Sequence, residues 1–139
     1  MALRYFDLAE ASALLPRLRD MLGGLRRLRD EAVLKKTELD LLWQQLEHGA
    51  PVLARLGDEQ QTLDRVTTRL VAVAQEIEAT GCILRDVDRG LVDFAHRARD
   101  GATVFLCWHL DEPAIAFWHG VNEGYGGRRP IADLRLDEP

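Results

Sequence analysis

Only two cysteines, Cys82 and Cys107, occur among the 139 residues, too few for a disulfide framework. Their scarcity points to reduced thiols and a cytoplasmic setting. No uninterrupted apolar run approaches the length of a membrane span. The start, Met1-Ala2-Leu3-Arg4-Tyr5-Phe6-Asp7, lacks the long apolar core of a signal peptide. A basic excess is missing too: the net charge is -5, so neither nucleic acid nor an anionic membrane is expected as a partner. There is no Cys-x-x-Cys zinc pattern, no phosphate-loop or dinucleotide fingerprint, no Ser/His/Asp order and no internal repeat. The sequence therefore names no reaction, and it does not decide whether the protein is an enzyme.

What is present is ordinary for a globular chain, 47% apolar and 29% charged, with a length that fits one domain over residues 1–139. The first 80 residues read as helix. Asp7 and Glu10 have the spacing of a capping box. Leu15, Leu18, Leu22, Leu25, Ala32, Leu39, Trp43 and Leu46 recur mostly every three or four residues, which places them on one stripe. Pro16 is expected to kink the helix or end a short first one, and Gly23-Gly24 weakens it. The end is expected near His48-Gly49. Gly49-Ala50-Pro51 breaks the pattern, Gly57 offers a second break, and a second helix is expected from about Asp58 to Thr80, with Asp58 as N-cap and Gly81 as stop. Two such helices on a short connection pack antiparallel. Arg17, Arg19, Arg26, Arg27, Arg29, Lys35 and Lys36 make the first helix locally basic. Asp20, Asp30 and Glu31 dilute that run, so it reads as a solvated face.

Residues 81–139 read as a small antiparallel sheet followed by a C-terminal loop, giving an α+β fold. Thr103 to Leu110 and Ala114 to His119 are rich in β-branched and aromatic residues. Paired as a hairpin around Asp111-Glu112-Pro113, they put Val104, Leu106, Trp108 and Leu110 on the core face and Phe105, Cys107 and His109 on the other. A loop of two or four residues sends His119 to the core face. A three-residue loop puts both histidines on one face but roughly 13 Å apart along the ladder, at ~3.3 Å per residue. Neither register lets His109 and His119 hold one ion unaided, because zinc needs donors about 2 Å away. Cys107 reads as a buried small hydrophobe.

Two further strings carry candidate chemistry. "RDVDRGLVDF" offers Asp86, Asp88 and Asp93. Asp86 and Asp88, two apart, suit a hard divalent cation such as Mg²⁺, although the string is also good turn chemistry. "NEGYGGRRP" sets glycines beside Tyr125, Arg128 and Arg129, a combination that suits an anion as well as a surface loop.

"RYFDLAEASALLPRLR", "DVDRGLVDF" and "FLCWHLDEPAIAFWHG" followed by "GYGGRRP" resemble a bacterial family catalogued as domain of unknown function 2203. The resemblance covers nearly the whole chain, with its motifs in the same order. It implies a small cytoplasmic protein and transfers no activity or residue role.

The resulting expectation is a ligand- or metal-binding module with a polar pocket beside the sheet. Asp86, Asp88, His119, Glu123 and Arg128 are its polar lining, with Trp118 and Tyr125 as walls. A divalent metal is expected on His119, Asp86 and Asp88, or a small anion on Arg128. The competing expectation is a helical interaction protein acting as a homodimer, without a small-molecule site. A metal-assisted hydrolase using the same cluster is the third.

Overall fold

The computed structural model describes residues 3–134. Helix α1 spans Leu8–Glu47 and helix α2 spans Leu53–Ala79. Five strands follow: β1 Ile83–Asp86, β2 Leu91–Arg97, β3 Thr103–His109, β4 Phe117–Gly120 and β5 Arg129–Pro130. They form an antiparallel meander in chain order. The architecture is thus α+β, a long antiparallel helical hairpin packed with a small antiparallel sheet, as the periodicity predicts.

The capping box forms: the Glu10 N–H donates to Asp7 Oδ1 at 2.6 Å, and the Asp7 N–H donates to Glu10 Oε1 at 3.0 Å. From there Ala11, Leu15, Leu18, Leu22 and Leu25 are buried at alternating four- and three-residue steps. Pro16 does not end this helix. It lies on the exposed side, where the Ser12 carbonyl that loses its N–H partner stays within reach of water. The end of α1 is capped by the His48 N–H, as expected.

Helix α2 begins earlier than its sequence signals indicate. Val52 is the N-cap without a side-chain bond, and Gly57 and Asp58 lie inside the helix. Pro51 immediately before the cap already ends the connection, so no further break is needed at Gly57. Gly81 does stop α2. Its φ of +102° lies in the left-handed region, and a Cβ there would fall 2.5 Å from the Arg4 side chain.

The helices cover one face of the sheet. Val92, Phe94, Leu106 and Trp108 meet Phe6, Leu18, Leu22, Leu25 and Ile77 in the main core. Tyr5 and Phe6 run beside the second half of β2, where the short β1 no longer pairs, and the Phe6 N–H donates to the Ala95 carbonyl at 2.7 Å. A smaller core of Leu39, Leu42 and Leu56 joins the two helices near their connection. No helix among the described residues is long and apolar enough to cross a membrane.

Because Pro16 is exposed and costs the helix one hydrogen bond, Pro16→Ala is expected to stabilise the protein by about 1–3 kcal/mol in urea denaturation. A neutral or destabilising result would show that the proline ring is itself part of the packing.

Candidate functional site on the second face of the sheet

Side chains alternate along a strand, so each residue beside a core residue faces away from the helices. On β2 this gives Leu91, Asp93 and Ala95, and yet all three are buried along with Val92 and Phe94. The chain after β4 folds back over this second face, with Val121, Glu123, Gly124 and Tyr125 bordering the same cavity as Asp93, Cys107 and His119. Four successive strands each place one polar or sulfur-bearing side chain here: Arg85, Asp93, Cys107 and His119.

Register explains their convergence. Asp93 is opposite Cys107, and His119 is opposite Phe105. His119 thus shares a face with Cys107 and His109, the arrangement expected for the three-residue loop. His109 is four positions further along the ladder and takes no part. The carboxylate of Asp93 and the ring of His119 reach toward each other across β3, with Nε2 3.0 and 3.1 Å from the two carboxylate oxygens. Arg85 Nε donates to Asp93 Oδ2 at 2.8 Å. Donor atoms of Asp93, Cys107 and His119 lie within 4.8 Å of one another.

All three are shielded from water: Asp93 is 2% exposed, His119 3% and Cys107 0%. A buried acid needs compensation, and Asp93 has Arg85 on one side and His119 on the other. The ring itself is oriented by its far nitrogen. His119 Nδ1 is 2.9 Å from the Gly120 carbonyl, which can only accept, so Nδ1 carries a hydrogen. A neutral ring then turns the Nε2 lone pair toward the carboxylate. Two acceptors at this distance repel unless a positive charge lies between them, either a proton on Nε2 or a metal ion. Burial, and then the negative Asp93, push the Cys107 thiol up to about 12. Cys107 is therefore a protonated, unreactive thiol at neutral pH.

A cavity of about 250 Å³ opens beside the cluster, bordered by Arg85, Leu91, Glu123 and Tyr125. Glu123 is tied down at its mouth. It accepts from Arg129 and from the Gly120 N–H, and these bonds, Arg129 first, hold its carboxyl below the usual range. Gly120 allows this approach, since a Cβ there would sit 2.8 Å from Glu123 Oε1.

The structure sorts the residues singled out from sequence. His119, Glu123 and Tyr125 border the cavity. Trp118 does not join them, because it neighbours His119 on the strand and faces the helix-side core, with Arg129 4.6 Å from its ring. Arg128 is occupied: its Nη2 donates to Glu112 at 2.5 Å and to the Cys107 carbonyl at 3.3 Å. Its guanidinium also lies over the rings of Phe117 and Tyr125. Asp86 and Asp88 build the turn between β1 and β2. Asp86 Oδ1 accepts from the Asp88 N–H at 2.8 Å, and the exposed Asp88 pairs with Arg29 of α1. The carboxylate that faces His119 is Asp93, in place of the expected Asp86 and Asp88.

Asp93 had a legible signal. An acid inside "LVDFA" is flanked by apolar residues on both sides, which is the pattern of a buried charge with a partner elsewhere. Arg85 and Glu112 had none beyond their residue types.

A family model described as "Uncharacterized conserved protein (DUF2203)" matches residues 4–131. The chain belongs to that family. The match takes in every strand and both helices of the fold, and with them the whole cluster on the second face. No curated protein and no solved structure matches the chain.

Asp93 neutralises Arg85 and faces the buried His119 ring, so Asp93→Asn is expected to cost about 3 kcal/mol in chemical denaturation. Asp88→Asn, which breaks only an exposed pair, is expected to cost under about 1 kcal/mol. Equal effects would mean that Asp93 is not the electrostatic centre of this face.

Proposed function

We propose that this protein is a metal-binding module, with one ion held between Asp93, Cys107 and His119 on the second face of the sheet. The observation that carries the reading is the convergence of a carboxylate, a thiol and an imidazole nitrogen within 4.8 Å in a buried space. An Asp–His ion pair has no use for the cysteine sulfur as a ligand, only for its S–H as a weak donor to Asp93. A metal does, and it also supplies the positive charge that Nε2 and the carboxylate require between them. The Nδ1 hydrogen bond to the Gly120 carbonyl supports the same reading, because ligating histidines are commonly oriented by their second nitrogen in this way.

The mixed oxygen, sulfur and nitrogen donors suit zinc or a neighbouring transition metal better than Mg²⁺ or Ca²⁺. Three protein ligands leave a fourth position, which is turned to the cavity beside Arg85 and Tyr125. With a divalent ion, a thiolate and a carboxylate cancel its charge, and Arg85 adds one positive charge. A small anion is therefore the favoured fourth ligand. Binding, rather than metal-assisted hydrolysis, is the reading these groups support. Hydrolysis needs a free base beside the fourth position, and the carboxylate of Glu123 is engaged by Arg129 and the Gly120 N–H.

Elemental analysis of protein purified without chelator is expected to give about one zinc per chain, lost in Cys107→Ser and His119→Ala that retain wild-type circular dichroism. Zinc at the same stoichiometry in both variants, or none in the wild type after incubation with zinc, contradicts the proposal.

The pH dependence follows from the thiol. Cys107 holds its proton up to about 12 in the metal-free protein, so zinc uptake near neutral pH must release it. Affinity is then expected to rise about tenfold per pH unit from this group. Calorimetry in buffers of different ionisation enthalpy counts the proton. Affinity and proton release identical in Cys107→Ser would exclude the sulfur as a ligand.

A further inference from the structure

The second candidate surface is on the helical hairpin, far from the metal cluster. The sheet covers the helices only as far as the core reaches, through Leu25 on α1 and Val73 on α2. Beyond that the hairpin is two helices thick, and two helices have no third layer to cover their broad faces. Leu34 and Leu41 are left 58% and 56% exposed. At seven residues apart they lie on one stripe of α1, directed away from Leu39 and Leu42, which pack toward α2.

Followed toward the sheet, the same stripe passes Arg27 and enters a groove between the helices. This groove, about 550 Å³, has Gly24 in its wall, apolar lining from Met21, Leu28 and Val73, and charged lining from Asp20, Arg27, Glu31, Arg69 and Glu76. A Cβ on Gly24 would meet nothing nearer than the Arg27 side chain at 3.8 Å. One face of the hairpin therefore carries both a pair of protruding leucines and a hollow with apolar side chains among its charged lining. A surface that bears a knob and its hole is complementary to itself under a two-fold axis.

Charge supports the same pairing. Residues 17–36 hold seven bases against three acids, whereas residues 37–47 hold three acids and no base. An antiparallel copy lays the acidic end of one α1 over the basic stretch of the other. With the two-fold axis between residues 32 and 33, Leu41 of one copy lies over Gly24 of the other. The same register sets Arg27 against Glu38, whose carboxylate also holds Lys35 of its own chain at 3.2 Å.

We propose that this protein forms an antiparallel homodimer through this hairpin face, with Leu41 seated in the hollow at Gly24 and Arg27 opposite Glu38 of the second copy. An overlap of about 17 residues at 1.5 Å per residue, two helices wide, buries roughly 500 Å² on each copy. That lies at the lower limit for a specific interface, so the dimer is expected to be micromolar and sensitive to salt. The proposal is independent of the metal reading.

Sedimentation equilibrium of the full chain at 1–200 μM in low salt tests it. The expected mass rises with concentration from 15.7 kDa to twice that value. Leu41→Arg alters an exposed side chain, and Gly24→Leu fills the hollow from outside, against Val73 at the edge of the core, where a Cβ has room. Both are expected to remain monomeric at 200 μM with unchanged circular dichroism. Arg27→Glu and Glu38→Arg are each expected to weaken association at least tenfold, and the double variant to restore it. A wild type that stays monomeric at 200 μM overturns the proposal. So does a dimer that Gly24→Leu and Leu41→Arg leave intact, which would place association on another surface. Failure of the double variant to recover overturns the register.

Discussion

Asp93 is the constraint around which the second face of the sheet is organised. A carboxylate 2% exposed cannot be left to water, and its partners come from strands on either side, Arg85 from β1 and His119 from β4. The bond to His119 spans β3, so it fixes β4 in the register that leaves Cys107 between them. It also requires a cover, because a charged cluster open to solvent would be weakly coupled. The chain after β4 supplies that cover, held by Arg128 on Glu112 and by Arg129 on Glu123. Arg128 and Arg129 thus act on this face as clamps.

The two faces of the sheet do different work. Toward the helices the residues are apolar and the packing is that of an ordinary core. Away from them, the same strands hold polar groups at measured spacing, in a rigid frame that a loop alone does not provide. This division places the candidate chemistry away from the hairpin, which is then free to serve as a surface. Its length exceeds what the sheet can cover, and its exposed leucines lie where that cover ends.

Much of the architecture was legible in the sequence because periodicity reports directly on burial. The α1 stripe, the capping residues Asp7 and Glu10, and the stop at Gly81 are local signals with local consequences. Pro16 misled because its effect depends on which side of the helix it occupies, and that is a tertiary fact. The start of α2 was misplaced because Pro51 and Gly57 both look like breaks, and nothing local ranks them. The site was only half legible. His119 stood out by residue type. Asp93 carried the mark of a buried acid, but not of a partner to His119, since it lies 26 positions away in the chain and reaches it only through the register of three strands. Asp86 and Asp88 attracted attention by spacing, but that spacing serves a turn.

Whether Asp93, Cys107 and His119 share one ion is tested most directly by X-ray absorption at the zinc edge of the loaded protein. The expected spectrum shows one sulfur neighbour at about 2.3 Å with nitrogen and oxygen neighbours at about 2.0–2.2 Å. A shell of light atoms alone, without sulfur, would contradict a shared ion.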